Sequence, residues 1–149
     1  MGFLELLDKK LIKVPLENFS KNAVLEELIN IIDDSGKLRN REQAYQDVLK
    51  RELLGSTGLE RGIAVPHART EAVDDMVMAV GIAPGGIDFE ALDGEQSSLF
   101  FLILAPPHQA GAHIEVLSDI AKVTKSAAIC RLLLASADAD EVIEIFEED

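Results

Sequence analysis

Apolar residues early in the chain recur three and four positions apart. Val24, Leu25, Leu28, Ile31 and Ile32 fall on one side of a helical repeat, predicting a helix capped by Ser20 and ended before Gly36, after a short helix at the amino terminus. A second helix is expected from Asn40, with Gln43 at capping-box spacing, Ala44, Val48 and Leu49 on its inner side and a stop near Gly55. The period then shortens. Ile63-Ala64-Val65 is β-branched and precedes Pro66, so it reads as a strand ending at His67. Met76 to Ile82 and Leu99 to Ala105 read as further strands, the latter apolar enough for the centre of a sheet covered on both faces. From about Gly111 the helical spacing returns in His113, Val116, Leu117, Ile120 and Val123, which places His113 in a first turn. Helices follow at 127–134 and at 139–146, the latter with Asp138 as cap and Glu141 as its partner. Strands interleaved with helices imply an α/β layered fold.

Composition narrows the possibilities. A chain of 149 residues, 48% hydrophobic and without internal repeats or a low-complexity linker, reads as one compact domain over 1–149. Its longest apolar run, Leu99 to Ala105, is far shorter than the roughly 20 residues of a membrane span. The start, Met-Gly-Phe-Leu-Glu-Leu-Leu, carries an acid and no basic leader, which points to the cytoplasm without direct membrane insertion. A net charge of −13 repels phosphate backbones, so nucleic acid is excluded as a partner. The acids, including the terminal Glu147-Glu148-Asp149, read as solvated surface. A single cysteine, Cys130 in an apolar run, rules out an internal disulfide and reads as a structural thiol.

Candidate chemistry centres on His67. A histidine at a strand end, stiffened by Pro66 and given access by Ala68, is firmly based, and neutral imidazole is abundant at pH 7. Its unprotonated nitrogen accepts a phosphoryl group without first losing a proton, and that transfer needs positioning and positive charge. A hydrogen-bonded structural histidine is the alternative on spacing alone. His113 in a helix's first turn would lie beside free N–H groups and the positive end of the helix dipole, against the alternative of a helix-end polar group satisfied by solvent. Arg51 offers a fork for phosphate oxygens, against the alternative of a surface charge beside Glu52. Arg69 is a further cation, equally explained by pairing with Glu71 or Asp74, and His108 after Pro106-Pro107 reads as solvent-exposed. The histidine spacings leave a metal site as a minor alternative, and no phosphate-binding loop for a nucleotide is present, so ATP is not the expected donor.

The string Gly62-Ile63-Ala64-Val65-Pro66-His67-Ala68 resembles the active-site signature of the fructose/mannitol/nitrogen-regulatory class of enzyme IIA (EIIA type-2) in the bacterial phosphoenolpyruvate-dependent phosphotransferase system. Arg51 to Gly58 upstream, and Gly86 to Gly94, the apolar strand and His113 to Leu117 downstream, are similar to that family in order and spacing. The resemblance implies a three-layer sandwich, a mixed sheet with helices on both faces. It further implies that His67 carries phosphate on Nε2, with His113 and Arg51 as the other catalytic residues. Phosphate would come from the carrier HPr, or its nitrogen-system paralogue, and pass to a sugar-specific IIB domain, without metal or organic cofactor. A regulatory protein whose phosphorylation state controls binding to a transporter, kinase or other target is the alternative; an unphosphorylated scaffold is a third. Glu60 departs from the glycine or alanine expected in the signature.

Overall fold

The computed structural model describes residues 2–147. Five strands, β1 (Ile12–Lys13), β2 (Ile63–Ala64), β3 (His67–Arg69), β4 (Val77–Ile87) and β5 (Ser97–Ala105), form one mixed sheet. Five α-helices accompany them: α1 (Lys21–Asp34), α2 (Arg41–Leu53), α3 (Ala110–Val123), α4 (Ala127–Leu134) and α5 (Ala139–Glu147). β4 and β5 run antiparallel through the middle, β1 lies parallel outside β4, and β2 and β3 lie parallel along the far side of β5.

β5 shows why the sheet is buried on both faces. Because side chains alternate along a strand, Phe100, Leu102 and Leu104 enter one core with Val24, Leu28 and Ile32 of α1 and Ala44 and Val48 of α2. Leu99, Phe101 and Ile103 enter the other, with Val116 and Ile120 of α3, Ile129 and Leu133 of α4 and Val142 and Phe146 of α5. This is the α/β three-layer arrangement expected from the sequence. Caps set several helix starts. The Asn40 carboxamide accepts from Gln43 N at 3.0 Å, Ser126 Oγ from Ile129 N at 3.2 Å and Asp138 Oδ1 from Glu141 N at 3.0 Å.

Local departures have physical causes. The expected amino-terminal helix is a 3-10 turn, Phe3–Leu6, followed by a second, Lys9–Leu11, and by β1, whose two residues are too few to show a period. Ser20 holds the cap position of α1 without a side-chain hydrogen bond, and α1 buries Ile29 while Ile31 is only partly covered. β4 continues past Ile82 to Ile87 through an irregularity at Pro84-Gly85-Gly86. These residues lie beyond the pairing of β1 with Val80 and Gly81, so proline removes no ladder bond on that side. Most consequentially, the strand expected to end at His67 is two strands. Pro66 keeps its carbonyl on β5, accepting Ile103 N at 3.0 Å, but has no N–H to return, so the ladder is interrupted there and His67 starts the second piece; Val65, facing the other edge by strand alternation, gives its N–H to Thr57 O at 2.9 Å. Glu148 and Asp149, the last acids of the carboxyl terminus, lie outside the described residues.

Candidate functional site

Strand alternation gives His67 its setting. With Val65 O turned away from β5, the His67 Nδ1–H donates to it at 2.7 Å. A carbonyl oxygen only accepts, so the proton sits on Nδ1 and Nε2 keeps the ring's free lone pair. Burial pushes the His67 pKa below its ordinary value; the bond to Val65 opposes this, Arg51 adds to it, Glu52 opposes it and Arg69 adds to it. The imidazole is therefore neutral at pH 7.

His113 stands beside it, the ring centroids 5.3 Å apart and the planes at 71°. It is the fourth residue of α3 and is 3% exposed, and among the described residues neither ring nitrogen has a hydrogen-bond partner. The solvent-satisfied alternative therefore fails. Burial, then the proximity of His67 and Arg69, lowers its pKa to about 4. A buried, unpaired polar ring costs about 1–3 kcal/mol.

Arg51 is the third residue of the set. It lies in the last turn of α2, half-buried, and donates from Nη1 to Gly55 O at 3.0 Å. His67, His113, Arg51, Arg69 and Lys50 line a cavity of about 600 Å³ together with Asp47, Leu54, Ala68, Ile114 and Leu117. Three cations thus gather at one opening of a chain whose net charge is −13. Arg69 pairs with neither carboxylate expected for it: Asp74 is bound instead by Arg39 Nη1 at 3.0 Å, and Arg39 Nη2 also donates to Glu71 O. An apolar cleft of about 170 Å³ adjoins, between His67, Ile63, Val65 and the Leu117, Ile120 and Thr124 side of α3. His108 is exposed in the 3-10 turn Pro107–Gln109, outside both cavities, and Cys130 is partly buried with its pKa raised by burial.

Glu60 is exposed at the first corner of a tight turn closed by Ile63 N to Glu60 O at 3.3 Å. Its two central residues, Arg61 at φ 59 and Gly62 at φ 80, carry the left-handed conformation, so the turn makes no such demand on Glu60. The Arg61 guanidinium donates to Thr124 O and Lys125 O at 3.3 and 3.4 Å, where the carbonyls at the end of α3 favour a cation.

The sequence reading overlooked Glu52. It is a buried carboxylate one residue after Arg51, paired with Lys21 Nζ at 2.9 Å and bound by both the backbone N–H and the hydroxyl of Thr57. No local spacing marks it, because its partner Lys21 opens α1, a whole helix away. Among the described residues no cluster of three or more histidine, cysteine or acidic side chains could hold a metal ion. No helix among them is long and apolar enough to cross a membrane.

The arrangement combines a neutral imidazole, a second buried ring with unused hydrogen-bonding capacity and three cations at a solvent-open cavity. It suits the transient holding of a compact anion. The model of the family described as "Phosphoenolpyruvate-dependent sugar phosphotransferase system, EIIA 2" matches residues 5–149. The chain is 35% identical over 148 residues, 99% of its length, to the PTS system fructose-specific EIIABC component of Bacillus subtilis, of which it spans 23%. It is 31% identical over 137 residues to the nitrogen regulatory protein of Pseudomonas aeruginosa, covering 92% of this chain and 88% of that protein. The crystal structure of nitrogen regulatory protein IIA-Ntr from Neisseria meningitidis superposes with a TM-score of 0.88 at 32% identity, over 96% of this chain and 97% of the other.

Proposed function

Because the chain belongs to the phosphoenolpyruvate-dependent sugar phosphotransferase system EIIA 2 family, we propose that residues 1–149 act as one phosphocarrier domain that holds a phosphoryl group on His67 Nε2. The observation that carries this reading is the bond from Nδ1–H to Val65 O, which leaves Nε2 as the nucleophile. The donor is a phosphohistidine on an HPr-like carrier. Its N–P bond breaks as the bond to Nε2 forms, and the His67 ring becomes cationic while Nδ1 keeps its proton. The Val65 carbonyl then stabilises that charge. Arg51, with Lys50 and Arg69 at the rim, offsets the charge of the phosphoryl oxygens. His113, neutral at pH 7, donates a hydrogen bond to one of those oxygens; its low pKa argues against a role as acid.

The acceptor is a IIB domain of a sugar transporter, and the domain works in the cytoplasm. The fructose-specific name of the Bacillus subtilis relative supports this reading. A second reading rests on the nitrogen regulatory names of relatives at 31% and 32% identity: phosphorylation of His67 switches the binding of a regulated protein. Incubation with phosphoenolpyruvate, enzyme I and HPr, followed by mass spectrometry, should find an acid-labile phosphate on His67. Unchanged labelling of His67→Ala would overturn the site. His113→Ala should still accept phosphate but pass it onward more slowly.

A further inference from the structure

We propose that Glu52 is a positioning residue for His67, acting through Thr57 and Val65 to fix which ring nitrogen is free. The inference rests on His67 being the nucleophile of the phosphocarrier reading.

The contacts run in one direction. The Glu52 carboxylate is 5% exposed in its side chain and is matched by Lys21 Nζ at 2.9 Å, itself 16% exposed. Lys21 also reaches Glu90 at 3.1 Å and lies over the Phe89 ring, 4.8 Å from its centroid. The carboxylate accepts the Thr57 backbone N–H at 3.3 Å and the Thr57 hydroxyl. Thr57 O accepts Val65 N at 2.9 Å, and Val65 O accepts His67 Nδ1–H at 2.7 Å. Strand alternation turns the Val65 N–H and C=O away from β5, towards the outer edge where the 57–59 segment bridges, so β5 does not bond these two groups. The loop anchored by Glu52 holds the N–H.

Two features show that this is more than a satisfied buried acid. The same loop carries Gly55 O, the acceptor of the Arg51 guanidinium, so one anchor sets both the imidazole and the cation beside it. Ser56 ties the loop from the other side, donating from Oγ to Phe89 O at 2.9 Å and accepting Gly58 N at 3.0 Å. The negative charge of Glu52 also favours the protonated ring, against Arg51 and Arg69, and so supports the basicity of the nucleophile. Buried charge pairs contribute little net stability compared with apolar packing. A pair kept here is explained by the geometry it imposes.

The test reads the tautomer of His67 in the unphosphorylated protein by ring nitrogen NMR, alongside the labelling rate with phosphorylated HPr. In the wild type the Nδ1–H form should predominate. In Glu52→Gln and Thr57→Val the Nε2–H form should rise several-fold, and the labelling rate at saturating donor should fall about tenfold with KM held within about twofold. Thr57→Ser, which keeps the hydroxyl, should restore both readouts to within about twofold of wild type. Should Glu52→Gln fail to fold, the two Thr57 variants carry the test. Variants that fold and keep the wild-type tautomer ratio overturn the positioning role whatever the labelling shows. A wild-type protein that takes no phosphate, while its tautomer still responds to these changes, counts against the phosphocarrier reading alone.

Discussion

Two buried polar groups around the His67 site are treated in opposite ways. Glu52, at the end of α2, has its charge matched by Lys21 and its oxygens bound by Thr57. His113, on α3, is equally buried yet has neither nitrogen bonded among the described residues. Burial of a polar group is costly on either side, so satisfaction separates a group that shapes the protein from one kept for something that arrives. The same substitution type should therefore have opposite effects at the two positions.

The largest effect is expected at Glu52. Glu52→Leu leaves Thr57 N–H and its hydroxyl without an acceptor and Lys21 with only Glu90, and should cost about 3 kcal/mol in urea unfolding. Acid should expose His113 next. Its folded pKa of about 4 lies below the unfolded value, so the unfolded chain binds more protons between the two, and stability is lost as pH falls below about 6.5. Wild type should lose about 2 kcal/mol more than His113→Leu between pH 7 and pH 5. Arg51→Ala should slow labelling of His67 about tenfold, equivalent to about 1.4 kcal/mol, with the fold unchanged by circular dichroism. The smallest effect is the one that most sharpens the contrast: His113→Leu should raise stability at pH 7 by about 1 kcal/mol while slowing onward transfer. Equal losses from Glu52→Leu and His113→Leu would end the distinction.

These two regions also mark the limit of what the sequence reveals. Helical period, the caps at Asn40 and Asp138 and the apolar run of β5 announce the layers, because each is written within a few neighbouring residues. The residue types of His67, His113 and Arg51 suggested their chemistry, and the fold brings the three to one cavity. Their burial was not legible: nothing in the spacing around His113 distinguishes a solvated helix end from an enclosed ring. Glu52 carries no signal of its own in the sequence beyond its place beside Arg51, since its pairing with Lys21 exists only once α1 and α2 pack together. β1 and the split strand were missed for a related reason. A two-residue strand has no period, and Pro66 announces an extended residue before it without showing where the Val65 N–H goes.

The outward-facing Val65 amide has a consequence for how the molecule opens. Position 66 has no amide hydrogen to exchange, and the Val65 hydrogen is tied to Thr57 rather than to β5. Hydrogen exchange should therefore assign Val65 to the unit that opens with the loop after α2, while Ala68 exchanges with the sheet. That exchange pattern would place His67 on a seam, its ring held through Val65 O by one opening unit and its backbone held on β5 by the other.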